Sequence, residues 1–344
     1  MRIIKGVDKT RVISHMSQVG DAMAATANRK TANLNPQTNM KHLLLALAVI
    51  VSLITVASAT TIGVSMRRFD DNFLTSVKNA MEAEAKVKNV HADFENANFD
   101  VGKQLSQVQG FIAQHVDAII ANPVDTSATP KITQLASHAG IPLVYVNLKP
   151  EDKTLPHNVV FVGSDDQVSG TLQGQEMVRQ MGGKGNMVII EGELDNSSTV
   201  QRTADIENVV KKFPAIKIIE KQTANWSRTD AISLVSNWLT TGERINAIAA
   251  NNDEMAIGAI LALKQAGQNP KNYVIGGIDA TADGLAEIAN GDLAVTVFQS
   301  AKGQGTSAID TAIKLINGEP VATFVYIPFE IVTKGNYKNY LSNN

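Results

Sequence analysis

Residues 117–147 read DAIIANPVDTSATPKITQLASHAGIPLVYVN, and this stretch decides the fold. AIIA and PLVYV are nearly continuous apolar runs, the pattern of parallel strands covered on both faces. Between them, residues 128–139 carry apolar residues at helical spacing. Asn122-Pro123-Val124-Asp125 closes the first strand, and Asp125, Thr126 and Ser127 are each placed to cap the helix. Pro142 opens the second strand, where its missing N–H costs little. The unit is strand, helix, parallel strand, which calls for a right-handed crossover.

The same unit recurs in both directions. Strands are expected at 62–66, 89–95, 117–122, 142–147, 159–163, 186–191, 216–221, 246–251, 273–277 and 294–299. Helices are expected at 73–87, 101–115, 128–139, 167–181, 199–212, 228–240, 253–266, 281–289 and 301–317, with Gly267 behind the seventh as a C-terminal cap. A final extended stretch, FVYIPFEIV, follows the last helix. So many strands suit two doubly wound sheets better than one. The first set runs to about Val162 and the second to about Gln299, with no Gly-, Pro- or Ser-rich tether between them. A hinge of crossing strands is therefore expected.

The 344 residues include no cysteine, which excludes disulfides, thiolate metal sites, cysteine nucleophiles and a lipoprotein anchor. Leu43–Val56, LLLALAVIVSLITV, is uncharged, preceded by Lys41-His42 and followed by Ala57-Ser58-Ala59. That is the pattern of a secretory signal over 40–59, cleaved after Ala59, and the run is shorter than the roughly 20 residues that span a bilayer. Met40 is the expected start of translation, leaving 1–39 as an untranslated or disordered extension. Residues 1–59 hold seven of the 31 Lys/Arg and two of the 33 Asp/Glu, so residues 60–344 carry 24 basic and 31 acidic groups. Such a mildly acidic exported chain does not bind nucleic acid or anionic lipid.

Polar and aromatic residues collect near the strand ends: Asp71, Phe73, Asn147, Arg202, Trp226, Asn252, Asp279 and Gln299. In alternating strand–helix proteins, ligands bind at the carboxyl ends of strands. Carboxylates, amides and a guanidinium suit a hydroxyl-rich rim, and flat aromatics suit the apolar faces of a ring. Each residue alone has a plainer reading: Asp71 and Asp279 as helix caps, Arg202 as a solvated helix residue, Phe73 and Trp226 as core aromatics. The six histidines show no metal spacing, and no H-E-x-x-H, G-x-S-x-G or phosphate-binding glycine loop occurs. No catalysis and no cofactor are expected.

IGVSMRRFDDNF, NPVDTSATPKI, GSDDQVSG, NNDEMAIGA and GGIDATADG, in this order and spacing, resemble the periplasmic sugar-binding proteins of ABC importers, the ribose and galactose type. FDDNFLT, QTANW, VTVFQ and YIPFE look closest to the inositol-binding members. The resemblance covers about 61–332. It implies a type I periplasmic binding protein, with two α/β lobes joined by three crossovers. One lobe would be 60–163 plus 300–327 and the other 164–299 plus 328–344. It also implies roles: Asp71 and Asp279 accept ligand hydroxyls, Phe73 and Trp226 sandwich the ring, and Asn147, Asn252, Gln299 and Arg202 bond the rim. Asn196 and Ser198 are further hydroxyl partners.

Leu148 departs from the resemblance, which implies arginine or lysine there; Lys149 beside it should point the other way. Residues 182–186, GGKGN, lack the calcium loop of glucose/galactose members, and Asn196-Ser197-Ser198 replaces their His and Asp sugar contacts. The expected protein is a monomer that captures a cyclic polyol or monosaccharide in the periplasm, myo-inositol first and ribose or another aldose behind it. It would deliver that ligand to an inner-membrane ABC permease. Two other readings share the fold. A sugar-responsive regulator core would need a helix-turn-helix where the apolar run stands, and a chemoreceptor ligand protein would differ only in its partner.

Overall fold

The computed structural model describes residues 59–152 and 154–342. The extension 1–39 and all of the signal segment except Ala59 lie outside them. Twelve strands and nine α-helices alternate among the described residues. The strands are β1 (Thr61–Met66), β2 (His91–Asn96), β3 (Ala118–Ala121), β4 (Leu143–Val146), β5 (Val159–Gly163), β6 (Gly185–Glu191), β7 (Ile216–Thr223), β8 (Ala247–Ala250), β9 (Val274–Gly276), β10 (Val295–Gln299), β11 (Phe324–Tyr326) and β12 (Phe329–Thr333). The helices are α1 (Asn72–Lys88), α2 (Val101–Ala113), α3 (Thr129–Ala139), α4 (Asp166–Gln180), α5 (Ser197–Val210), α6 (Arg228–Thr240), α7 (Asp253–Gln265), α8 (Ala282–Asn290) and α9 (Ala301–Ile316).

The strands form two six-stranded sheets, ordered β11-β5-β4-β3-β1-β2 and β12-β10-β9-β8-β6-β7. Every pairing is parallel except β10 with β12. The apolar runs are explained by period-two burial. On β4, Val144 and Val146 enter the core under α1 and α9, while Leu143 and Tyr145 enter the core under α2 and α3. On β6, Val188 and Ile190 face one core, and Met187 and Ile189 the other. With both faces covered, a strand has no polar side to show.

The chain passes between the sheets at three places: after β5, after β10, and between β11 and β12. FVYIPFEIV is thus two strands, split at Ile327-Pro328, one completing each sheet. After the second passage α9 lies against α1 of the first lobe. The approach is close because Gly305 has no Cβ; one built there would come 2.6 Å from the Val77 carbonyl and Ala80 Cβ.

Candidate functional site

One cavity of about 460 Å³, counting the solvent at its opening, lies between the two sheets' strand ends. Asp71, Phe73, Asn147, Asn196, Ser198, Arg202, Trp226, Asn252, Asp279 and Gln299 all line it. The structure therefore gathers all ten sequence-chosen side chains around one space. Arg67, Arg68, Leu74 and Leu148 complete the wall.

Local folding aims these groups. Asp71 ends the loop after β1 and caps α1, its Oδ1 accepting from the Leu74 amide at 2.8 Å. Asn252 caps α7 after β8, its Oδ1 accepting from Met255 N at 2.9 Å. Asn196 caps α5, its Oδ1 accepting from Ser198 N at 2.9 Å. Such caps satisfy amides that a helix start leaves unbonded. They also place each side chain at the helix's positive end, beside the cavity. The proposed cap role of Asp279 is not found: Thr281 caps α8, and Asp279 extends β9 alongside Phe298. Asn147, Trp226 and Asp279 all hold positive φ, at 69°, 62° and 119°. Asparagine and aspartate tolerate that region; for tryptophan it is an outlier.

Behind the wall, buried polar groups hold the contacts in place. Arg202 donates from Nη1 to the Asn251 carbonyl at 2.8 Å and from Nη2 to Asp166 Oδ1 at 3.4 Å. Its guanidinium lies 5.7 Å from the Trp226 ring centroid and 4.0 Å from Asp279 Oδ1. Ser198 donates to the other Asp166 oxygen at 2.6 Å. Burial raises the Asp71 carboxyl above its ordinary range, against the Leu74 amide and nearby Arg68 and Arg67, which lower it. Burial also holds Asp279 well above that range, with Arg202 opposing and Asp253 and Asp71 reinforcing. The Nε atoms of Arg67 and Arg202 and Nε1 of Trp226 are buried without a hydrogen-bond partner among the described residues.

Three wall residues, Arg67, Arg68 and Leu74, escaped the sequence reading. The arginines follow β1 directly, but paired arginines read as solvated charge. Arg67 is instead 4% exposed, because Glu193 of the second lobe pairs with it. Leu148 is buried in the wall, while Lys149 turns away to donate to Tyr326 Oη at 3.3 Å. Among the described residues, no group of three or more His, Asp or Glu could hold a metal ion.

The family profile described as "Periplasmic binding protein domain" matches residues 62–320, both sheets up to the end of α9. The chain belongs to the periplasmic binding protein family. This periplasmic binding protein is 50% identical over 309 residues to a putative rhizopine-binding protein of Rhizobium meliloti, covering 89% of this chain and 100% of that one. It is 36% identical to a xylitol-binding protein of Mycolicibacterium smegmatis, over 82% of this chain and 80% of that one. A solved ABC transporter solute binding protein from Bacillus halodurans, with bound myo-inositol, superposes with a TM-score of 0.80 at 37% identity, covering 84% of this chain and 100% of that one.

Proposed function

We propose that this periplasmic binding protein captures a cyclic polyol, myo-inositol first, and hands it to an ABC permease in the inner membrane. Ribose or another aldose ranks behind. The observation that carries the reading is the wall itself. Two lobes contribute carboxylates, amides, guanidinium groups and two aromatics to one cavity. A cyclic polyol offers hydroxyls around its rim and C–H groups on its faces, the complement of that set. Binding stabilises the closed form because the ligand touches both lobes. The protein acts after export, with the signal over 40–59 removed.

A second reading has its own support: the relative named for rhizopine shares half its residues with this chain over its full length. Calorimetric titration decides between them. The protein is unfolded, dialysed and refolded to remove carried-over ligand, then titrated with myo-inositol, rhizopine, xylitol, ribose, galactose and glucose. Tight binding of myo-inositol bears out the first reading, and preference for rhizopine the second. Binding of none of the six overturns both.

A further inference from the structure

Gln304 does not line the cavity, yet it is fully buried in the first turn of α9, directly behind the wall. Its Oε1 accepts from Asn147 Nδ2 at 3.2 Å. Its Nε2 donates to Gln299 Oε1 at 2.9 Å and to Ser164 Oγ at 3.3 Å. Asn147 Nδ2 also donates to Gln299 Oε1 at 3.3 Å, and Gln299 Nε2 donates to Asp279 Oδ1 at 2.9 Å. A carboxamide nitrogen carries two hydrogens. Both hydrogens on Asn147 are therefore spent on the glutamines, and both on Gln304 are spent on Gln299 and Ser164.

We propose that Gln304 is a positioning residue that fixes the polarity of Asn147, so that Asn147 offers the ligand its carbonyl oxygen and not its NH2. The inference rests on the polyol-binding reading above for its consequence, and on the bonds alone for its cause. An asparagine in a binding site can usually turn over to donate or accept as the guest requires. Here turning it would set its carbonyl oxygen against the Oε1 atoms of Gln299 and Gln304 and strand those buried acceptors, a cost that burial makes large. The hydroxyl opposite Asn147 must then donate. A guest that can only accept at that position is refused.

The network also binds the site to the hinge. Ser164 stands on the first passage between the sheets and Gln299 on the second, so one side chain bridges both passages and a wall residue. Gln304 is thus the point where lobe movement and the orientation of a contact group meet.

Gln304→Met keeps the volume and removes both polar atoms; Ser164→Ala is the milder companion, deleting one acceptor. The first readout needs no ligand: exchange of the Asn147 side-chain amide hydrogens by 15N NMR, assigned by their loss in Asn147→Asp. The expected result is slow exchange in the native protein, at least about tenfold faster exchange in Gln304→Met, and a smaller rise in Ser164→Ala. Equal rates in native and Gln304→Met proteins overturn the proposal. The second readout is the affinity for myo-inositol relative to its monodeoxy-monofluoro analogues, since fluorine accepts but does not donate. In the native protein at least one analogue binds about tenfold more weakly than myo-inositol, and in Gln304→Met that gap closes. A merely structural role would weaken all of them alike and leave the ratio unchanged, which also overturns the proposal. If the native protein binds no polyol, the functional reading falls, and the exchange rates still decide the role of Gln304.

Discussion

Arg67, at the end of β1 in the first lobe, is ion-paired with Glu193, beyond β6 in the second. The pair joins the two lobes directly. Asn72 adds a second tie, donating to Glu254 at 2.7 Å, and Glu254 is itself gripped by Arg228 at 2.8 and 3.0 Å. Such contacts bias the equilibrium toward the closed form before ligand arrives. Glu193→Gln should let the ligand-free protein open further. A larger radius of gyration by X-ray scattering and a several-fold loss of affinity are expected. An unchanged radius together with unchanged affinity would show that the pair contributes nothing to closure.

Gly192 makes room for Trp226. A Cβ at position 192 would lie 2.2 Å from the indole ring and 2.5 Å from Thr199 Oγ1. Gly192→Ala therefore displaces the ring that faces the cavity. Each loss of about 1.4 kcal/mol of contact free energy is a tenfold loss of affinity. Affinity should fall by at least about tenfold with a shift in tryptophan emission, while the circular dichroism spectrum stays native.

Asn252 caps α7 through its oxygen and lines the cavity; on the polyol reading its NH2 is the donor to the ligand. Asn252→Asp keeps the cap, since aspartate is as good there, and removes the donor. The unfolding midpoint should move by only a few degrees while polyol affinity drops about tenfold or more. Asn252→Ala should lose both, with about 1 kcal/mol of stability gone. Full affinity in the aspartate variant would mean that the amide does not donate to the ligand.

Asp253 is fully buried below the cavity floor, accepting from Thr296 Oγ1 at 2.6 Å and from Thr281 N at 2.9 Å. Burial pushes its carboxyl up from 3.8 to about 7, against those bonds. Between these values the folded protein binds more protons than the unfolded chain. The resulting stability is fully present below about pH 4, falls as pH rises, and is lost by about pH 7. Asp71 and Asp279 are shifted in the same direction. Thermal unfolding from pH 4 to 8 should show a midpoint declining with pH, and Asp253→Asn should flatten the decline. The same variant should also melt lower throughout, because its NH2 meets donors that need an acceptor. A wild-type midpoint that rises across the range would contradict the buried-acid assignment.

The sheets were legible because parallel strands buried on both faces leave an unbroken apolar trace, as in Leu143–Val146. The site was legible because its residues stand at strand ends or at the first turn of the following helix. What escaped notice shares a property: its meaning comes from another part of the chain. Arg67 looks solvated until Glu193 is brought beside it, and Gln304 looks like a surface residue of an amphipathic helix until Asn147 and Ser164 converge on it. The break in FVYIPFEIV was hidden for a similar reason, since either half alone is a short β-branched run. Only the two sheet edges distinguish them.

That break governs how the molecule is made. Phe324 of β11 pairs with Phe161 of β5, and Phe329 of β12 pairs with Gln299 of β10. A chain emerging from the ribosome has synthesised all of the second lobe's strands except β12 before the first lobe can add its last strand, β11. Neither lobe is a segment that could be cut out, shuffled or left behind by early termination. Loss of the last twenty or so residues would expose β5 and β10 as new edge strands, one on each sheet, and exposed edges invite pairing with other chains.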